Sequence, residues 1–430
     1  MNRPSLLALA ASVVACSVLA AAGCAGSSPA KAAKPSPATG SYAFWPQFPD
    51  DPRIQFVKSF SSSEDVAPAK SNDLEKIVFG KDVTQSELID KPYGTAMRDG
   101  KIYVCDMRGK ALTVLDLKKR QTRLVGVTGV NQLQHPVAVA VADDGMIYVA
   151  DNERGSIFVF DAAERYSAVM GFPKFKPVGV AVHGDRLYAS DLAGQCVVVF
   201  DRRTGNKIGT IGSVGDEDGQ FRTPLGIATD KAGNVYVVDM MRCRVQKFSP
   251  DGKLISAFGS LGDYAGTFAR PKHIAVDSDG VVYVVDASFQ NVQMFDDQNR
   301  ILMHFGAAGS FPGAMNLPAG IAVCEDSVGL FADQAHPGFA PKRLVLVTNQ
   351  FGPEKVSVYL RGDLKSGYTA KDLAASSIKV ELGVVASPSE DRLKFAAPGG
   401  EAPPPEPGSE AAGDGTPEQK PPEPKPSNPK

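Results

Sequence analysis

The pentapeptide VYVVD stands twice in the 430-residue chain, at residues 235–239 and 282–286, 47 positions apart. Three relatives, YVCD at 103–106, YVAD at 148–151 and YASD at 188–191, and a degenerate sixth, LVTN at 346–349, turn the coincidence into a period. Upstream of each lies a second element: PYGTAM at 92, PVAVAV at 136, PVGVAV at 177, PLGIAT at 224, PKHIAV at 271 and PAGIAV at 318. Downstream, an apolar residue falls nine positions after the Asp (Leu115, Phe160, Phe200, Phe248, Phe295), and in the sixth copy Tyr359 follows Asn349 by ten. A fourth element of β-branched and aromatic residues completes most copies, as in KIGTIGS, LISAFGS and ILMHFGA.

Six copies of a four-strand unit, at spacings of 41 to 47 residues, cannot each bury two faces alone. Stacked around an axis they can. The period therefore predicts an all-β, six-bladed β-propeller with four-stranded blades. The third position of each first strand reads Gly94, Ala138, Gly179, Gly226, His273 and Gly320, small in five copies, as crowding at a narrow axis requires. The recurring Asp ends a strand before a turn, where its carboxylate accepts turn N–H groups, a structural role. The sixth copy lacks a fourth strand after Leu360, and residues 53–60 (RIQFVKSF) resemble the fourth strands of the other copies. That N-terminal strand is expected to close the ring and leave no free edge.

The abundance of Gly (42) and Pro (32) suits short strands and turns, and a net charge of −2 supplies no basic field for nucleic acid. The N-terminus reads as a targeting segment, with Arg3 before an apolar run from Leu6 to Ala22 that ends in AAGC at 21–24. Residues 1–24 are expected to be a lipoprotein signal peptide and Cys24 the lipidated residue, although Ala21 stands where such sites usually carry Leu. An ordinary secretory signal cut near Ala22 is the alternative, and both export the mature chain. Residues 25–49 read as a flexible tether and 50–362 as the propeller. Residues 363–396 form a short extension with a helical stretch near 371–375. A second short helix is expected at 72–79. Residues 397–430 lack Val, Ile, Leu, Met and aromatics, and read as a disordered Pro/Glu-rich tail. Beyond Cys16 and Cys24, the cysteines at 105, 196, 243 and 324 have no disulfide or zinc spacing.

The connectors GSVGDEDGQFRTPLGIATDKAGNVYVVD and GSLGDYAGTFARPKHIAVDSDGVVYVVD resemble those of NHL-repeat propellers, across roughly residues 50–362. That resemblance implies the propeller fold but several functions, among them protein-binding modules, RNA-binding modules, an amidating lyase and lactonases of the regucalcin type. A lactonase of that type would carry an Asn after the first-strand proline, where this chain has Tyr93, Val137, Val178, Leu225, Lys272 and Ala319. A zinc lyase would bring several histidines to the channel, but His135 and His273 belong to opposite blades, and His183, His304 and His336 lie elsewhere. No metal or other cofactor is expected.

The candidate binding residues are His273, which replaces the axial glycine, and side chains in the turns after the second strands: Arg108, Arg154, Met241, Arg242 and Phe289. Those turns share one face of the disc, and Arg, Met and aromatic residues are enriched at interfaces. The insertion at 325–342 adds Phe331 and His336, as a binding or lid element or as a spacer. The sequence thus favours an exported, membrane-anchored scaffold, in the outer membrane facing the periplasm or at the cell surface. It would bind an envelope protein or extracellular ligand, and the resemblance adds a cell-envelope redox complex as a setting. The alternative is a metal-dependent lyase or lactonase-type hydrolase acting at the channel.

Overall fold

The computed structural model describes residues 42–67 and 88–378. Within them, six antiparallel sheets follow one another around a common axis. Blade one consists of Pro92–Arg98, Lys101–Asp106, Ala111–Asp116 and Gln121–Val125, from the axis outward. Blades two to five repeat this order, with first strands Pro136–Val141, Pro177–His183, Pro224–Thr229 and Pro271–Val276. Each first strand touches that of the next blade, and the sixth, Pro318–Cys324, touches the first. The six-bladed, four-stranded architecture expected from the period is the one observed.

The close approach of first strands explains the small residues. A Cβ on Gly320 would lie 2.1 Å from the carbonyl oxygen of Tyr93, and one on Gly226 would lie 2.5 Å from the Cα of His273. The steric limit is the neighbouring blade's backbone rather than an opposing side chain across the axis. Between blades the second-strand tyrosines Tyr148, Tyr188, Tyr236 and Tyr283 are almost fully buried, as are Phe160, Phe200, Phe248 and Phe295. Each such side chain contributes roughly 1.5–3 kcal/mol.

Ring closure runs through Ile54–Phe60, which pairs antiparallel with Val356–Leu364, the third strand of blade six. A fifth strand, Ala43–Trp45, then pairs with residues 54–56. This corrects the reading of 25–49 as tether for its described part: Phe44 and Trp45 are buried, and Trp45 packs edge-on against Tyr359. Apolar side chains with a free strand edge beside them order that segment. The helix expected near 371–375 is present at Ala370–Ala374, where Leu373 is buried beside Phe44 and Phe339. The signal segment, Cys24, the helix expected at 72–79 and the tail at 397–430 lie outside the described residues.

The repeated Asp fixes one rim of the disc. Asp286 accepts N–H groups of Ala269 (2.8 Å) and Arg270 (3.0 Å) from the connector entering its blade. It also accepts those of Ser288 (2.8 Å) and Phe289 (3.1 Å) from the turn that follows. Asp106, Asp151 and Asp191 make the same two-sided clamp, Asp239 holds the connector, and Asn349 stands in for them in blade six. All six side chains belong to residues no more than 4 % exposed. The turns also repeat a left-handed residue four places after the Asp, at Lys110, Gly155, Gln195, Cys243 and Gln290.

Two outcomes are expected from unfolding midpoints in denaturant. Trp45→Ala should cost about 3–5 kcal/mol, as large truncations of fully buried aromatics do; an unchanged midpoint would show that the fifth strand is dispensable. Asp286→Ala should cost about 1–3 kcal/mol by orphaning buried donors, and Asp286→Asn less, since Asn349 already serves this role.

Candidate functional site

The 4–1 connectors and the turns after the second strands lie at one end of every blade, because the second strand returns to where the first began. This connector face carries the central mouth. The residue before each first-strand proline reads Lys91, His135, Lys176, Thr223, Arg270 and Leu317 around it, and the residue after reads Tyr93, Val137, Val178, Leu225, Lys272 and Ala319.

At the mouth, one side chain reaches across blades. Lys272 of blade five sends its Nζ to Gln350 Oε1 of blade six, 3.0 Å away, and lies 5.5 Å over the ring of Tyr93 in blade one. Blade six carries only Ala319 at the equivalent position, which leaves the path open. Lys272 is 5 % exposed, yet among the described residues it forms no ion pair, and neither do Lys91, Lys176 or Arg270. Burial first, then the like charges of Arg270 and Lys91, push the Lys272 ammonium down to about 8. Burial raises the Tyr93 phenol to about 12, so it stays protonated and can donate. The stacked ring returns part of the desolvation cost as a cation–π contact, on the order of 1–2 kcal/mol.

The outer part of this face is apolar in patches. Val130, Val214 and Leu261 project from connectors, and Met241 and Phe351 from the turns of blades four and six; all five are more than half exposed. Of the residues singled out from the sequence, Met241 belongs to this rim, and Phe289 is half-buried in its clamped turn. Arg242 lies 3.5 Å from Asp216, and Arg108 pairs with Asp90 at 3.2 Å. Arg154 donates to the carbonyls of Gln132 (3.1 Å) and Val130 (3.2 Å) and covers the Phe158 ring. These arginines brace connectors, so only part of their donor capacity faces outward.

His273 is buried, its Nδ1 has no hydrogen-bond partner among the described residues, and burial holds its pKa down to about 4, so the ring is neutral. The reading of the insertion is corrected. Its residues form a 3-10 turn, Val328–Gln334, and lengthen the second strand of blade six to Phe339–Asn349. Phe331 and His336 are 2 % exposed and pack with Phe44 and Phe339, at the end of the disc opposite the connectors. The segment is a core cap, neither lid nor spacer. Residues 361–363 sit in a paired strand, with Asp363 bound to Arg53 and Lys342.

Perimeter grooves also occur. One of about 410 Å³ between blades two and three is lined by Arg202, paired with Asp144 and Tyr148. Among the described residues no three of His, Cys, Asp and Glu gather into a metal-binding group, and no helix is long and apolar enough to cross a membrane.

A buried lysine whose pKa falls from 10.5 to about 8 destabilises the fold. Below pH 8 it is charged in both states and the cost is full; between 8 and 10.5 the unfolded chain binds the extra proton, so stability rises with pH. Lys272→Met should therefore raise Tm at pH 7, by an increment that shrinks toward pH 10.5. A constant increment across that range would contradict the buried cation.

Comparison with known proteins supports an NHL-type propeller. The NHL repeat model matches residues 133–160, in blade two. A structural-genomics protein of unknown function from Bacteroides thetaiotaomicron is similar over 72 % of this chain and 76 % of its own, with 16 % identity and a TM-score of 0.51. A gluconolactonase from Xanthomonas campestris aligns over 77 % and 99 % with 14 % identity and a TM-score of 0.48. Virginiamycin B lyase from Staphylococcus aureus aligns over 63 % and 94 % with 10 % identity and a TM-score of 0.43. At these identities the likeness concerns the fold, and the site must be read from this chain's own residues.

Proposed function

We propose that the chain is an exported, lipid-anchored propeller that binds a partner protein of the cell envelope through its connector face, as an accessory component rather than a catalyst. One observation carries the reading: on that face, Val130, Leu261 and Met241 are 86 %, 76 % and 67 % exposed, around a mouth whose cations form no ion pair among the described residues. Large apolar side chains presented singly are ordinary, but several on one rigid rim, beside unpaired positive charge, suit a docking surface. The clamps at the ends of the second strands hold that rim in place, which lowers the ordering cost of binding. Export and anchoring rest on the N-terminal apolar segment and Cys24. The hydrogen-bonded carboxylates of the clamps are already committed to backbone donors, which leaves them poorly placed to act as metal ligands or general bases.

The test is quantitative affinity capture from native membranes, with the wild-type chain against Met241→Glu/Phe351→Glu. Both side chains are more than half exposed, so the fold should persist while recovery of a specific companion falls at least tenfold. Cys24→Ser, in the same preparation, should move the chain from the membrane to the soluble exported fraction. Equal recovery by the double variant would remove the docking face. One tightly held divalent ion per purified chain, with a Tm that falls in EDTA, would favour the enzymatic alternative.

A further inference from the structure

We infer that the connector-face mouth is a binding site for an oxyanion attached to an apolar body, with Lys272 at its floor. The inference deepens the docking reading above and rests on it only for the choice of face.

The floor is built by residues far apart in sequence. Lys272 and Tyr93 meet across blade six, and Gln350 Oε1 accepts one of the three ammonium hydrogens. No other acceptor among the described residues takes the remaining two. Arg270 and Lys91 stand close enough to depress Lys272, and Arg270 also acts on the Tyr93 phenol. Arg270 is exposed and Lys91 half-buried, so they rise from the floor toward solvent. A lysine retained for packing in so enclosed a place is normally met by a carboxylate, because an unpaired buried charge is costly. Here its partners are one amide oxygen, that of Gln350, and the face of the Tyr93 ring, with Arg270 and Lys91 near enough to add like charge. Cations gathered without a carboxylate among the described residues are complementary to a carboxylate or phosphate group.

The other side of the mouth is different. Val137, Val178 and Leu225 occupy the corresponding positions of blades two to four, and Tyr93 packs against the apolar cluster that contains Val137. At the positions after the prolines the mouth thus carries Lys272 and Tyr93 on blades five and one, flanked by Arg270 and Lys91, and is apolar across two to four, with Lys176 one residue earlier in blade three. A ligand with its oxyanion over Lys272 would lay an apolar body on that second arc. Two sources present this chemistry: a free amphiphilic acid, or the C-terminal carboxylate of a polypeptide ending in apolar residues.

The experiment is isothermal titration calorimetry of the full mature chain at constant ionic strength, with chloride as the reference anion. The probes are hexanoate, inorganic phosphate, and the peptide Gly-Val-Leu-Leu with a free carboxylate or as its amide. Hexanoate or the free-acid peptide should bind, hexanoate more tightly than phosphate, and the amide at least tenfold more weakly than the acid. Lys272→Met, expected to fold with a higher Tm, should weaken binding at least tenfold. Arg270→Gln, at an exposed position, should weaken it severalfold with no fall in Tm. Binding by hexanoate identifies a free acid as the better source; binding by the peptide acid alone identifies a chain terminus. No anion binding above chloride, or equal binding by Lys272→Met, overturns the inference. Because no companion protein is present, that failure would leave the capture experiment with Met241→Glu/Phe351→Glu untouched, and the two readings fall separately.

Discussion

The pairing of Ile54–Phe60 with Val356–Leu364 is the contact on which the rest of the molecule depends. Six blades laid side by side would leave an unpaired strand edge and two unburied faces at the seam. Hydrogen bonds from a segment about 300 residues away in sequence turn the row into a ring, at a loop-closure cost that grows only slowly with length. The seam is then thickened rather than merely shut. Ala43–Trp45 adds an outer strand, Phe331, His336 and Phe339 cap its end, and Leu373 packs beneath Phe44. Blade six is the most elaborated blade because it is made from two separate parts of the chain, 43–60 and 318–364.

Closure also creates the site. In a linear stack Lys272, Gln350 and Tyr93 would occupy blades five, six and one, at opposite ends of the row. In the ring they are successive neighbours, and the shortness of Ala319 lets one side chain span the gap. The clamps formed by Asp286 and its counterparts then hold the connectors that carry Arg270 and Lys91 in register with the first strands. Structural carboxylates thereby keep the rim rigid while the cations around the mouth remain without ion pairs. The buried ammonium lowers stability at neutral pH, a cost that proteins commonly retain at functional positions.

The individual blades were legible in the sequence because their signals are local. Four recurring short elements marked the strands, Pro and Gly marked the first strands, and the Asp at each second-strand end predicted the hydrogen bonds that Asp106, Asp151, Asp191, Asp239 and Asp286 make. Residues 53–60 were recognisable as a missing fourth strand for the same reason. The candidate site was legible only in part. Met241 is indeed presented on the shared face, but Arg108, Arg154 and Arg242 brace connectors, and His273 is buried. In the sequence, the series containing Tyr93 and Lys272 shows only that it lacks the Asn a lactonase would carry. The basic series at Lys91, Lys176 and Arg270 becomes visible only when the copies are aligned one residue earlier.

The amino-acid sequence by itself determined the number of blades, the order of strands within each and the place where the ring is joined, since these follow from the period, the recurring elements and turn chemistry. Tertiary structure alone decided that Phe331 and His336 are core, that residues 43–45 belong to the sheet, and that Lys272 lies over Tyr93. A repeat pattern specifies which side of its own sheet a residue takes. It does not specify what a long side chain meets beyond that sheet, because this depends on the size of its neighbours in other blades and on the curvature that closes the ring.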